Sequence, residues 1–275
     1  MRLGLFAKTF VRPTLEAVFD AVRDSGVSCV QFNLVSAGLA SMPEEIDPGL
    51  AERIRLAASS RGIELAAVSG TFNMIHPDPR QRQAGLRRLA VLAEACRRMG
   101  TSVITLCTGT RDPEDMWRHH PANDSPRAWA DLLETLSAAL RIADDAGVTL
   151  AFEPEVANVV DSAPKARRLL DELRSERLKV VMDGANLFHS GELPRMSEIL
   201  EEAFALLAGD IVIAHAKDLS RDGQAGDLPA GQGLLDYDRY LGLMRRYRFD
   251  GPLILHGLTE SQVPGCLAFV RAKLA

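Results

Sequence analysis

Four short apolar runs in the second half of the chain each end in a residue that can bind a metal ion or carry a proton. Val148-Thr149-Leu150-Ala151-Phe152 leads into Glu153, Val180-Val181-Met182 into Asp183, Ile211-Val212-Ile213-Ala214 into His215, and Leu253-Ile254-Leu255 into His256. Runs this short and apolar read as parallel strands leaving a core, with the polar residue at the carboxyl end. Counted along the chain they are the fifth to eighth strands, so the four residues would stand side by side on one rim. Two carboxylates and two imidazoles make the mixed oxygen and nitrogen shell of manganese, zinc, cobalt or iron rather than of calcium. A divalent ion in such a shell can grip adjacent oxygens of a hydroxy-carbonyl compound and stabilise the enediolate formed when a proton leaves the carbon beside the carbonyl. Lys217, two residues beyond His215, projects on the same strand face.

The elements that must position these residues are legible from local signals. Leu3 to Phe6, Val27 to Phe32, Ile63 to Val68 and Val103 to Leu106 read as four earlier strands. Thr14, Asp47-Pro48, Asp78-Pro79 and Ser125-Pro126 read as helix starts, a cap followed in three cases by proline at the first position. Gly26, Gly62, Gly100 and Gly147 read as stops. Further helices follow Ser162 and span about Pro194 to Ala208, Asp236 to Tyr247 and Pro264 to Leu274. About eight strand-helix units in 275 residues predict a single (β/α)8 TIM barrel over 1–275. A doubly wound sheet shows the same alternation, but its GxGxxG signature after the first strand is missing. Unit lengths vary without a repeating residue pattern, which sets aside a solenoid.

Composition narrows the setting. A net charge of −5 offers no field for a polyanion, so nucleic acid is not an expected partner. The four cysteines, Cys29, Cys96, Cys107 and Cys266, are widely spaced, which argues against a disulfide framework or a thiolate zinc site and suits a reducing cytoplasm. No apolar stretch approaches membrane-spanning length. Exposed barrel helices leave room for a homo-oligomer.

Glu153-Pro154, Asp183-Gly184-Ala185-Asn186, His215-Ala216-Lys217-Asp218 and Gly231-Gln232-Gly233, with the earlier Asn73-Met74-Ile75-His76-Pro77-Asp78, resemble the sugar phosphate isomerase/epimerase family of xylose isomerase-like barrels. The resemblance runs over nearly the whole chain. It implies a small carbohydrate substrate, metal ligation by Glu153, Asp183 and His215, with manganese the first choice, and proton exchange through Glu153. The family usually places a glutamate where this chain has His256, and many relatives place histidine where it has Asn186. Histidine can bind the ion as a neutral imidazole, but the ligating nitrogen is then no longer free to take a proton. That favours single-base isomerisation or a dehydration, with Glu153 or Lys217 moving the proton, over two-base epimerisation.

Asn186, His76 and Glu155 complete the expected site as substrate contacts. Plainer roles stand beside these: Lys217 pairing with Glu155 or Asp218, His76 satisfied within its loop, Gly231-Gln232-Gly233 an ordinary turn. Trp117, His119 and His120 sit in the polar loop Asp112 to Ser125, either a lid or plain surface. Phe10, Phe32 and Phe72 fall near strand ends and suit either an apolar wall or core packing. Two other functions compete: an abasic-site endonuclease, disfavoured by Asn186 and by the charge, and a barrel that binds sugar or metal without turnover.

Overall fold

Apolar runs of four to eight residues alternate with amphipathic helices along the entire chain. In the computed structural model, which describes residues 1–275, the barrel strands are β1 (Arg2–Phe6), β2 (Cys29–Phe32), β3 (Glu64–Ser69), β4 (Val103–Cys107), β5 (Thr149–Glu153), β6 (Leu178–Asp183), β7 (Ile211–Asp218) and β8 (Pro252–Leu255). Each is parallel to the next, and β8 pairs with β1, Leu255 opposite Leu5, so the sheet closes without an edge. One helix follows each strand: α1 (Leu15–Asp24), α2 (Pro48–Ser59), α3 (Pro79–Met99), α4 (Pro126–Ala146), α5 (Ala163–Leu173), α6 (Met196–Leu207), α7 (Tyr237–Arg246) and α8 (Val263–Leu274). This is the (β/α)8 barrel that the sequence predicts.

Helix starts follow their caps. Thr14, Asp47, Ser125 and Asp236 each accept a hydrogen bond from the backbone N–H three residues on, and Gly100 and Gly147 end α3 and α4 in the left-handed conformation. Several strand ends differ from expectation by a single residue, and two boundaries differ by more. Val27 stays outside β2, and α6 begins at Met196 because Leu193–Arg195 forms a separate 3-10 turn.

Strand alternation sorts side chains into layers. Inward-facing Cys29, Ala67, Ala151, Val181, Ile213 and Ile254 fill the barrel as an apolar layer, while outward-facing residues join the larger core under the helices. The filling is tight at Gly4, where a β-carbon would come within 2.6 Å of the Cys29 carbonyl and the Ile254 side chain. Two residues further along the same strands, the next inward positions are Gln31, Ser69, Glu153, Asp183, His215 and His256. Phe6 and Thr105 complete this ring from β1 and β4. All of its members except Asp183 line a cavity of about 380 Å³ at the carboxyl end of the barrel.

Candidate metal centre

Glu153, Asp183 and His215 converge in the charged half of the ring, one ligand atom from each lying within 4.8 Å of the others. His215 Nδ1 is 3.4 Å from Glu153 Oε2 and 3.7 Å from Asp183 Oδ2. Every one of the three has its other polar atom held by the protein. Asp183 Oδ1 accepts from the Ala185 N–H, Glu153 Oε1 from the Asn186 side chain, and His215 Nε2 meets Gln31 Oε1 at 2.8 Å. His215 Nδ1 is buried with no hydrogen-bond partner, and Asp183 Oδ2, also buried, has only the Lys217 ammonium beside it, 3.2 Å away. A buried imidazole nitrogen is rarely left so, and one facing two carboxylate oxygens fits a cation. Two oxygens and one nitrogen suit a first-row divalent ion.

The backbone beneath these residues is pinned from α7. Tyr240 sends its hydroxyl to the carbonyls of Met182 and His215, joining the ends of β6 and β7, and the Tyr237 hydroxyl donates to the Lys217 carbonyl. Asp218 accepts backbone N–H groups from Leu219, Gly231 and Leu235 and so ties the loop after β7 to its root. The Gly231 N–H is spent in that way, giving Gly231-Gln232-Gly233 a turn role.

Charges in the site shift one another. Burial acts against charging His215, but Glu153 and Asp183 outweigh it and push the imidazole up to about 9. Burial likewise acts against Lys217, yet Asp183, Glu153 and Glu155 hold it as an ammonium with its pKa raised. Asp183, though buried, is held well below the usual carboxylate range by Lys217 and His215. Glu155 goes the other way: burial, then the neighbouring Glu153, push it up to about 7.

The remaining expected site residues fall in several places. Lys217 lines the cavity with its ammonium 3.2 Å from Asp183 Oδ2, so its partner is Asp183 rather than Glu155 or Asp218. Glu155, one layer above Glu153, also lines the cavity. Asn186 is fully buried behind Glu153; its amide donates to Glu153 Oε1 and accepts from the Gly226 N–H, which places it as a support for the carboxylate rather than a face for substrate. His76 is spent in its own loop, Nδ1 accepting from the Asp78 N–H and Nε2 facing the Pro113 carbonyl, away from the cavity. His256 is outside the three-residue group. Its strand lies between β1 and β7, and its ring stacks between Phe6, 4.9 Å away, and His215, 5.1 Å away and parallel to within 3°. Burial first, then the charges of His215 and Lys217, hold it well below the ordinary imidazole pKa, hence neutral. Its Nδ1 is buried without a partner.

The aromatic wall of the cavity is Phe6 with half-exposed Trp117 from the loop after β4. Phe10 and Phe32 are buried in the core and Phe72 packs on Gly85, so none of the three forms that wall. His119 and His120 do not border the cavity, and His120 caps a short 3-10 turn. Sequence reading missed Gln31, Ser69 and Thr105, three uncharged members of the ring. The available signal was their position two residues after apolar inward-facing positions.

The family described as xylose isomerase-like TIM barrel matches residues 19–264. Among solved structures, the 3-keto-D-glucoside 4-epimerase YcjR from E. coli superposes with a TM-score of 0.74 at 17% identity, over 99% of each chain. The probable 3-DHS dehydratase AsbF from Bacillus anthracis gives 0.76 at 13% identity, over 100% of this chain and 99% of that one. The IOLI protein, solved with a bound zinc atom, gives 0.73 at 16%, over 100% and 96%. At these identities the likeness is one of fold.

Proposed function

From the premise that the chain belongs to the xylose isomerase-like TIM barrel family, we propose a metal-dependent isomerase or epimerase that moves a proton next to the carbonyl of a small carbohydrate or hydroxy-carbonyl compound. The observation carrying this reading is the convergence of Glu153, Asp183 and His215 on one point, with the buried His215 Nδ1 facing the two carboxylates and otherwise unbonded. These three would hold the ion, manganese first and zinc, cobalt or iron next. A bound ion would supply Lewis-acid stabilisation of negative charge on the substrate oxygens.

The chain's own residues divide the proton work. Glu153 is the proton carrier: it borders the cavity, and Asn186 fixes one of its oxygens and thereby its direction. Lys217, held as an ammonium, donates hydrogen bonds to a substrate oxygen instead of abstracting a proton. Phe6 and Trp117 offer apolar faces to the carbon skeleton. With a neutral, stacked imidazole at the end of β8, no second carboxylate stands at that strand end, so isomerisation through one base is the form we favour. Glu155 supports a second reading. A carboxyl near 7 beside Glu153 is suited to protonate a leaving hydroxyl, the task of a dehydratase. The four buried free cysteines support a reducing, cytoplasmic setting.

The test is elemental analysis of the purified protein together with NMR of aldoses and ketoses incubated with it in deuterated water. The reading expects about one first-row divalent ion per chain and deuterium on the carbon beside the carbonyl, lost in Glu153→Gln. A chain that binds sugar and exchanges no proton, after reconstitution with each of the four metals, is a non-catalytic binder.

A further inference from the structure

Gln31 is buried on β2, three strands from β7 around the ring, and its amide crosses the barrel interior to reach His215. Its nitrogen lies 3.2 Å from Ser69 Oγ on β3 and 3.1 Å from Thr105 Oγ1 on β4, and its oxygen lies 2.8 Å from His215 Nε2. With the amide nitrogen shared between two hydroxyls, the end that meets the imidazole is the oxygen, and an amide oxygen only accepts. His215 Nε2 therefore carries a hydrogen, and the nitrogen left to face Glu153 and Asp183 is Nδ1, which is buried without a partner.

We propose that Gln31 is a positioning residue for the metal centre: it fixes His215 in the Nε2–H tautomer with Nδ1 as the ligating nitrogen, and Ser69 and Thr105 lock the amide's own orientation. This rests on the metal-binding reading of Glu153, Asp183 and His215. A ligating histidine generally donates its second N–H to an oxygen, and losing that partner weakens metal binding about 10- to 100-fold. Here the acceptor is uncharged, so the ring is oriented without adding a third carboxylate to the ion's surroundings.

The experiment is zinc titration against a chromophoric chelator for the wild-type chain, Gln31→Leu and Gln31→Glu, with nitrogen-15 NMR of the zinc-loaded proteins. Gln31→Leu should bind zinc about 10- to 100-fold more weakly. Gln31→Glu, which keeps an acceptor for the Nε2–H, should restore wild-type affinity or exceed it, a rescue that a purely packing role would not produce. The wild-type spectrum should show zinc on Nδ1 and a hydrogen on Nε2. Should Gln31→Leu fail to fold, the double variant Ser69→Ala, Thr105→Val carries the same test, with weakened zinc binding expected. Zinc on Nε2, or wild-type affinity in Gln31→Leu or in that double variant, overturns the assignment while leaving the metal site intact. A wild-type chain that binds no divalent metal removes both.

Discussion

The ring at the carboxyl end of the barrel has two unlike halves. Strands β5 to β8 present Glu153, Asp183, His215 and His256, all ionisable, whereas β1 to β4 present Phe6, Gln31, Ser69 and Thr105, none of them ionisable. Both halves contain deeply buried members, Gln31 at 4% and Ser69 at 3% exposed against 1% for Asp183 and 2% for His215, while Glu153 and His256 are partly exposed to the cavity. What separates them is bonding. His215 Nδ1 and His256 Nδ1 are buried without partners and Asp183 Oδ2 has only the Lys217 ammonium, whereas no side-chain polar atom of the other half is buried unpaired. A polar half with spare bonding capacity is built to receive something. A half whose groups are satisfied is built to hold the first in place.

The largest effect that can break this comparison is on stability. Asp183→Ala removes the nearest partner of the buried Lys217 ammonium and leaves it only the Coulombic support of Glu153 and Glu155, so it should cost about 3–5 kcal/mol in urea unfolding. Thr105→Val, in the other half, should cost about 1 kcal/mol. Equal costs would erase the distinction.

Next comes His215→Ala, which should abolish metal binding in a chelator competition while the fold survives, since residues at this end of a barrel serve function more than stability. A collapsed fold that keeps the metal would refute it.

A pH series sharpens the same point. His215 must lose a proton to bind an ion, and its pKa lies at about 9. Affinity should therefore rise about tenfold per pH unit up to that value and level off above it. In the metal-free protein the sign reverses. The raised pKa contributes stability in full below the ordinary imidazole value and loses it as pH climbs through about 9. Urea melts at pH 6 and pH 10 would measure this, and a pH-independent metal affinity would remove His215 from the ligand set.

The smallest effect on metal binding is expected from His256→Glu. Losing the rings stacked on Phe6 and His215 costs about 0.5–1.5 kcal/mol per pair. The variant should keep the ion and gain deuterium exchange from the second face of the substrate carbon, read by NMR. Metal loss would show that the imidazole at this strand end is needed by the ion.

Much of this was legible in the sequence, for identifiable reasons. Caps such as Asp47-Pro48 and Ser125-Pro126 act within one helical turn, so local spacing is enough to place them. Glu153, Asp183 and His215 stand out because an ionisable group after an apolar run is uncommon without a task. Gln31, Ser69 and Thr105 escape notice because amides and hydroxyls are ordinary in strands, and only the closed barrel shows that they share a layer with the carboxylates. The ring orientation of His256 depends on β8 lying between β1 and β7, a long-range fact. By type alone Asn186 and His76 suit substrate contacts, because a side chain's type does not reveal whether neighbouring groups have already claimed it.

The small bridge through Asn186 carries a consequence for how this protein can be altered. One end of its amide holds Glu153 and the other holds the backbone of Gly226, in the loop after β7. Space around Gly226 is closed as well, since a β-carbon there would come within 2.6 Å of the Ala185 side chain. The aim of the carboxylate and the seating of that loop are thus one degree of freedom. A loop grafted here from another barrel brings with it a new direction for Glu153, and the exchange rate of the Gly226 amide hydrogen becomes a gauge of where that carboxylate points.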